Sequence, residues 1–518
     1  MKALLMFADR DFQVARELRA GEEDLIQDLE LDTVWDAMAL GDSVVRDSAR
    51  SAMLSGLATP GQIRYRQAVL TDCLQQPAVV REIYGLAVQA IDAERHIYRS
   101  LFSNHGEALL RRAISELEMF TGILKQLRRL TGDHTAAFSS EGFTRFFGTL
   151  RRELDDGYFD EVAQHLRQLR FHDGVLASAQ LGEASQGTGY VLRTPRQENR
   201  GKFLFRRPAV RKPAYSLTVP PRDDGGAQAL AALRDRALSL VANALGQSAD
   251  HILSFFAALR TELGFYVGCL NLHDQLTAKA APECLPDPHP YGASVLTARG
   301  LYDPCLSLRI SGRVHGNDLD TDGKPLVIIT GANQGGKSTF LRSLGVAQLM
   351  MQAGMTVAAE SFAGTISRGV FTHYKREEDA TMTSGKFDEE LARMSHITAA
   401  ISTNCLLICN ESFAATNERE GSEIAAEVIH AMTDTGNTVI FVTHLYELAH
   451  RLYQQHARTT LFLRADRGAD SNRPFRIAVG EPLPTSYGED LYRRTFGAGP
   501  PAAAASPGSD STWHDDAT

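Results

Sequence analysis

The chain has 518 residues, a formal net charge of −9, 43% hydrophobic residues and 23% charged residues. Its length exceeds that of one compact domain, and its composition is that of a globular protein able to bury a sizeable core. The negative charge excludes a protein that binds nucleic acid over its whole surface, so such binding requires a local basic patch. We find no signal sequence and predict no apolar stretch that approaches the roughly 20 residues of a membrane span.

The six cysteines are scattered along the chain, without CxxC pairs or neighbouring histidines, at Cys73, Cys269, Cys284, Cys305, Cys405 and Cys409. This distribution argues against a disulfide framework and against a zinc site. It favours a reduced, cytoplasmic protein with buried thiols.

The order of apolar patterns predicts a mixed fold, an all-α region followed by an α/β domain. Helical spacing dominates from about residue 25, and strand and helix signals alternate towards the C-terminus. The predicted divisions are an N-terminal segment 1–24, a helical domain 25–281 with a basic insertion near 182–226, a Pro-rich linker 282–296, an α/β domain 297–497 and a disordered tail 498–518.

A glycine-rich segment after the apolar run Leu326–Ile329 matches the pattern G-x-x-x-x-G-K-[ST]. Glycines let successive backbone N–H groups point at phosphates, and the following helix adds its positive end. Lys337 is predicted to reach the β- and γ-phosphates, and Ser338 to hold Mg²⁺. The predicted ATP-binding residues are Gly331, Ala332, Asn333, Gln334, Gly335, Gly336, Lys337, Ser338 and Thr339.

Two further apolar runs end in polar residues. Cys405–Cys409 is followed by Asn410 and Glu411, where P-loop ATPases carry Asp-Glu to bind Mg²⁺ and polarise water. Glu411 is predicted to be the general base that polarises the attacking water, and it is also placed near Mg²⁺. Asn410 is predicted to reach the metal through a water molecule. Because Asn410 carries no negative charge, we expect slow turnover. A third run ends at His444, a predicted γ-phosphate sensor. The alternative is that these residues only cap their strands.

Three segments, in their order along the chain, resemble the ATPase domain of the MutS family, whose loop typically reads TGPNMGGKST. These segments are TGANQGGKST, NES and FVTHLYEL. The resemblance implies a P-loop ATPase domain of the MutS/ABC type. Asp379–Thr398 is similar to the family's Ser-Thr signature stretch, with Thr383 and Ser384 aligned. That stretch faces the opposing subunit's nucleotide in the family, which implies a homodimer through the ATPase domains. Val314 stands about where relatives place an aromatic residue on adenine, and His315 is a substitute.

The resemblance extends into the helical region, because Asp28–Leu70 is similar to the start of the family's core domain. The core helices begin near residue 25, and the first hundred residues contain no Phe-x-Glu wedge. We therefore expect a short form without the N-terminal mismatch-recognition and connector domains, and without a C-terminal nuclease domain.

A basic segment between Val191 and Arg222 contains nine Arg and Lys residues against one acid, Glu198. The predicted DNA-binding residues are Arg193, Arg196, Arg200, Lys202, Arg206, Arg207, Arg211 and Lys212. Phosphate contacts of this kind give affinity without sequence preference. The alternative is a solvated loop, or one that pairs with the protein's own acidic helices.

Together, these features and the resemblance imply a cytoplasmic, Mg²⁺-dependent ATPase that binds double-stranded DNA, branched, distorted or mismatched, and no membrane. ATP binding and slow hydrolysis would switch a dimeric clamp. Two alternatives remain, an ATP-driven switch acting on a protein partner and a nucleotide-binding scaffold with negligible hydrolysis. The sequence does not distinguish repair, recombination control and defence as the pathway.

Overall fold

The computed structural model describes residues 1–14, 17–19, 21–99, 106–171, 177–181, 187–192, 224–331, 335–376, 385–466 and 475–483. The chain divides into two compact units. The first consists of Met1–Glu17, Leu31–Pro288 and Leu349–Val357, and the second of Leu18–Glu30, His289–Gln348 and Ala358–Thr518. A mixed fold with a helical N-terminal region and an α/β C-terminal region is confirmed.

The short helix α1 (Glu22–Asp28) belongs to the second unit, and the helices of the first unit follow it in the chain. These are α2 (Leu31–Ala39), α3 (Ser43–Ser55), α4 (Pro60–Gln75), α5 (Pro77–Arg99), α6 (Gly106–His134), α7 (Glu141–Glu153), α8 (Asp156–Leu169) and α9 (Asp224–Thr277). Side-chain caps mark the N-termini of α3, α4, α7 and α8. Asp42, Thr59, Ser140 and Asp155 each accept a hydrogen bond from a backbone N–H in the first turn of the helix that follows. An antiparallel hairpin, β1 (Ala177–Leu181) and β2 (Gly187–Leu192), lies between α8 and α9 in the chain.

The 54-residue helix α9 is the central element of the first unit. At 1.5 Å per residue it is about 80 Å long. Aromatic pairs such as Phe120 with Phe256, whose ring centroids are 6.2 Å apart, join it to α6. Contrary to the sequence prediction, its Leu238–Thr277 part is long and apolar enough to cross a membrane by length and composition. Its most apolar window is 61% buried within the protein, and a core helix meets the same criterion, so this is weak evidence for a span.

The second unit contains a six-stranded sheet in the order β12-β11-β6-β10-β9-β8. A four-stranded sheet has the order β3-β7-β4-β5. The strands are β3 (Asp287–His289), β4 (Leu296–Leu301), β5 (Asn317–Asp320), β6 (Leu326–Gly331), β7 (Ser361–Thr365), β8 (Val370–Tyr374), β9 (Leu406–Asn410), β10 (Thr438–Val442), β11 (Thr460–Ala465) and β12 (Ile477–Val479). Its other helices are α10 (Pro304–Arg309), α11 (Lys337–Ala353), α12 (Lys386–Ala400), α13 (Glu418–Asp434) and α14 (Tyr446–His456). Of these, α11 continues into residues of the first unit.

Among the described strands of this sheet, β8, β9, β10, β6 and β11 run parallel, and β12 is antiparallel to β11. The first five residues of β6 are all buried, as in a parallel strand covered on both faces. In register, Val442 of β10 lies opposite Ile329 of β6 and Asn410 of β9. The residues that follow these strands therefore meet at one edge of the sheet.

The helix α1 and the residues after it are held to the second unit by ion pairs. Arg376 pairs with Asp24, and Arg342 pairs with both Glu30 and the fully buried carboxylate of Asp303. Leu29 is fully buried. The observed units thus differ from the predicted division at residue 24, because contacts distant in sequence join 18–30 to the α/β unit.

The range 282–296, predicted to be a linker from its Pro-rich composition, also contains regular structure. It contains β3 and the first residue of β4, and Cys284 exchanges two backbone hydrogen bonds with Val357. Proline is tolerated at the ends and edges of sheets, so a Pro-rich stretch can include a short outer strand. None of the six cysteines, all of them among the described residues, is in a disulfide bond; five are buried and Cys284 is half-buried.

Candidate active site

A cleft of about 350 Å³ opens at the carboxyl edge of the six-stranded sheet. Its lining combines a polar set, Gly335, Gly336, Lys337, Ser338, Thr339 and Glu411, with a more apolar set, Tyr302, Leu306, Ile310, Val314, His315 and Phe475. Ligand sites of this size are typical for small molecules, and a lining of both kinds suits a ligand with one charged and one aromatic part.

Lys337 lies at the first position of α11, and only 5% of the residue is exposed. Its Nζ donates a hydrogen bond to the carbonyl oxygen of Gly331, at 2.9 Å. Burial lowers the pKa of Lys337, and the negative charge of Glu411 acts in the opposite direction. A buried ammonium group at a helix N-terminus is a strong site for an anion.

The turn between β6 and α11 requires glycine at two described positions. Gly331 has φ of 113° and Gly336 has φ of 88°, both in the region that side chains disfavour. A Cβ at Gly331 would also lie 2.8 Å from the backbone nitrogen of Ala465. At these two positions the backbone conformation itself selects glycine.

The predicted residues at the ends of β9 and β10 converge on the start of α11. The hydroxyl of Ser338 donates to Oδ1 of Asn410, at 3.1 Å. Nδ1 of His444 lies 3.8 Å from Oε2 of Glu411. The backbone N–H of Glu411 donates to Val442 on β10, at 2.9 Å, which links the two strand ends.

The donor set near Ser338 suits a hard divalent cation. A hydroxyl and an amide oxygen lie side by side, the carboxylate of Glu411 lines the same cleft, and Mg²⁺ prefers oxygen ligands with several positions left for water and phosphate. Among the described residues, no group of three or more His, Cys, Asp or Glu side chains is placed to hold a metal ion by itself. The residues present fit a Mg²⁺ site that a bound phosphate would complete.

Phe475 is a cleft residue that the sequence analysis missed. Its ring is near Gly336, where an added Cβ would lie 3.5 Å from Phe475 Cδ1, and 46% of the residue is exposed. Its φ is 51°, and Asn317 holds the segment by donating to the Phe475 carbonyl at 3.1 Å and accepting from the backbone N–H of Ile477 at 2.7 Å. Val314, which stands about where relatives place an aromatic residue on adenine, and His315, its proposed substitute, also line the cleft. An exposed aromatic residue in a polar stretch was the only sequence signal for Phe475.

Several predicted residues lie outside the described part of the chain and stay predictions. These are Ala332, Asn333 and Gln334 of the loop, Thr383 and Ser384 of the signature stretch, and the basic residues Arg193, Arg196, Arg200, Lys202, Arg206, Arg207, Arg211 and Lys212. The tail 498–518 is also outside it.

Comparisons with known proteins give two family matches along the chain. Residues 58–279 match the MutS2 N-terminal domain, and residues 327–488 match MutS domain V. The endonuclease MutS2 of Lacticaseibacillus casei is 31% identical over 174 residues, covering 33% of this chain and 22% of the relative. MutS protein homolog 4 of Homo sapiens is 31% identical over 134 residues, covering 26% of this chain and 14% of the relative.

The DNA mismatch repair protein MutS of Chloroflexus aurantiacus is 30% identical over 196 residues, covering 34% of this chain and 20% of the relative. The matched parts thus span about a fifth or less of these relatives.

Proposed function

The chain belongs to the MutS family, and from this premise we propose that it is a Mg²⁺-dependent ATPase that uses ATP to control its hold on DNA. The observation that carries the proposal is the convergence of Lys337, Ser338 and Glu411 on one cleft. The proposal includes a P-loop of the MutS/ABC type at residues 331–339. A nucleotide would place its phosphates against Lys337 and Ser338 and its adenine against the ring of Phe475.

Lys337, Glu411 and His444 have distinct roles in this proposal. Lys337 and the N-terminal N–H groups of α11 bind the phosphates, since both present positive charge to the cleft. Glu411 accepts a proton from the attacking water, and His444 lies close enough to orient that carboxylate or to contact the γ-phosphate.

Ser338 and Asn410 are the residues that would hold Mg²⁺, which supplies neutralisation of the phosphate charge when bound. Because the amide of Asn410 is neutral, we expect weak Mg²⁺ affinity and slow turnover. The same residue favours a second candidate function, a nucleotide-binding scaffold with negligible hydrolysis.

The DNA part of the proposal rests on the family and on the basic segment. Arg206, Arg207 and Arg211 belong to a set of nine basic residues with one acid, which suits contacts to phosphate groups. Such contacts discriminate by DNA shape rather than base sequence, so we propose branched or distorted double-stranded DNA as the preferred ligand. Thr383 and Ser384 are proposed to complete the nucleotide site of a second subunit in a homodimer.

The test measures ATP affinity and hydrolysis with and without homoduplex, mismatched and four-way-junction DNA. We expect Lys337→Met to lose ATP binding, and Glu411→Gln to keep binding while hydrolysis falls by about 100-fold or more. A wild-type rate equal to that of Glu411→Gln would reject the hydrolytic function and leave the scaffold.

For DNA, we expect binding that weakens with salt and falls on substitution of Arg206, Arg207 and Arg211. Absence of salt-sensitive binding to all three DNAs would reject the DNA function. DNA binding unchanged by the arginine substitutions would instead place the contact surface elsewhere and favour action on a protein partner.

A further inference from the structure

The turn that carries Glu411 has an unfavourable backbone conformation. Glu411 has φ of 54° and Phe413 has φ of 62°, although neither is glycine. Such conformations persist only where the surrounding structure holds them, and they concentrate at functional sites.

Ser412, between these two residues, is fully buried, and its hydroxyl contacts His373 of β8 and the thiol of Cys409. Its Oγ lies 2.7 Å from Nδ1 of His373 and 2.8 Å from the carbonyl oxygen of the same residue, so its single proton is donated to one of these two acceptors. The ring of His373 also stacks on that of Phe413, with centroids 5.5 Å apart and planes at 27°. His373 therefore contacts the turn through its ring nitrogen, its backbone and its ring face.

The other ring nitrogen of His373 connects to α12. Nε2 lies 3.0 Å from the carbonyl oxygen of Glu390, which can only accept, so Nε2 carries the proton and Nδ1 is an acceptor. Burial lowers the pKa of His373 to about 4, in agreement with a neutral ring. The carboxylate of Glu390 accepts hydrogen bonds from the backbone N–H groups of Ala415 and Phe413. The same helix thus holds the turn directly and through His373.

We propose that His373 and Ser412 are positioning residues, which hold the turn after β9 so that Glu411 points into the cleft, with Glu390 fixing them to α12. This inference rests on the proposed function, in which Glu411 activates water. None of the three residues lines the cleft, so their effect on the reaction passes through Glu411. It also makes the orientation of Glu411 depend on the position of α12.

The test compares Ser412→Ala, which removes one buried hydroxyl, and His373→Phe, which keeps a ring against Phe413 but removes both nitrogens. We expect kcat to fall by about 10- to 100-fold while the Kd for ATP changes by less than about twofold. His373→Asn, whose side-chain oxygen can occupy the place of Nδ1, should recover part of the rate. Thr372→Val is the matched control, because Thr372 is buried next to His373 but faces the other side of β8.

A second readout does not need hydrolysis. Hydrogen exchange of the backbone amides from 411 to 416, in the nucleotide-free protein, should become faster in Ser412→Ala and stay unchanged in Thr372→Val. The double variant His373→Phe with Ser412→Ala should have a kcat no lower than that of the slower single variant, because both substitutions break the same connection to the turn.

Wild-type kcat and wild-type exchange in Ser412→Ala would overturn the inference. Should the wild-type protein bind ATP without hydrolysing it, the proposed function fails, and exchange alone decides whether these residues hold the turn.

Discussion

Replacing Asn410 by Asp tests the proposed metal site, because it adds one negative charge where the structure places a neutral amide. Asn410 Oδ1 lies 3.1 Å from the hydroxyl of Ser338. A cation held by that hydroxyl and reached by residue 410 through water would lie roughly 4 Å from the new carboxylate. At this distance and an effective dielectric constant of about 20, a pair of unit charges attracts by about 4 kcal/mol.

Part of this attraction is offset. The new carboxylate loses some hydration and is repelled by Glu411, which follows it in the chain. We therefore expect a net gain of about 1.5–3 kcal/mol, or roughly 10- to 100-fold tighter Mg²⁺ binding. Without Mg²⁺ the same repulsion should lower the stability of Asn410→Asp slightly.

The assay is a Mg²⁺ titration of ATP hydrolysis at fixed ATP. The concentration of Mg²⁺ at half-maximal rate should fall by about tenfold or more in Asn410→Asp. Asn410→Ala, which removes the oxygen, is the control and should move this concentration upwards. A half-activating concentration in Asn410→Asp within twofold of wild type would refute the placement of residue 410 beside the metal.

Three further predictions concern the contact to the adenine base, a buried ion pair and stability at acid pH. Measured by calorimetry, Phe475→Ala should weaken ATP binding by about tenfold and leave tripolyphosphate binding unchanged, because only the adenine base of ATP loses a ring contact. Equal losses of affinity for the two ligands would contradict this. Arg342→Met should lower the free energy of unfolding, measured in urea, by about 3–5 kcal/mol, because the fully buried carboxylate of Asp303 loses its partner. Adding Asp303→Asn should restore part of the lost stability. An unchanged free energy of unfolding in Arg342→Met would show that the pair is not formed. The native protein binds fewer protons at His373 than the unfolded chain between pH 6.5 and about 4, so the unfolding free energy of wild type relative to His373→Asn should fall by up to about 3 kcal/mol as the pH drops through this range. The raised pKa of Asp28, about 6, acts in the opposite sense in both proteins and cancels in this difference.

The sequence was sufficient to bring the polar residues of the cleft together. Apolar runs end before Gly331, Asn410 and His444, and parallel strands place their carboxyl ends at one edge of a sheet. That rule needs no knowledge of the loops. It depends only on recognising the strands, which are continuous apolar runs.

Other features depend on contacts that no local pattern records. Glu30 and Arg342 are ion-paired but lie over 300 residues apart, so the place of α1 in the second unit was not predictable from periodicity. Phe475 reaches the cleft because Asn317, far away in sequence, holds the described residues just before β12. His373 is a single histidine within a buried strand, and its role follows only from the proximity of β8 to the turn after β9.

The second unit is assembled from three separate stretches of chain, and this limits how the protein can be dissected. A recombinant fragment that begins at His289 would retain all the described residues of the cleft but omit 18–30. It would leave a gap beside Gly345, where Leu29 packs so closely that an added Cβ would lie 2.8 Å from it, and would deprive Arg342 of Glu30. Such a fragment should be less stable than one in which 18–30 is fused back or supplied as a peptide. Domain-deletion experiments on this protein should therefore preserve that short stretch, even though it is distant in sequence from every catalytic candidate.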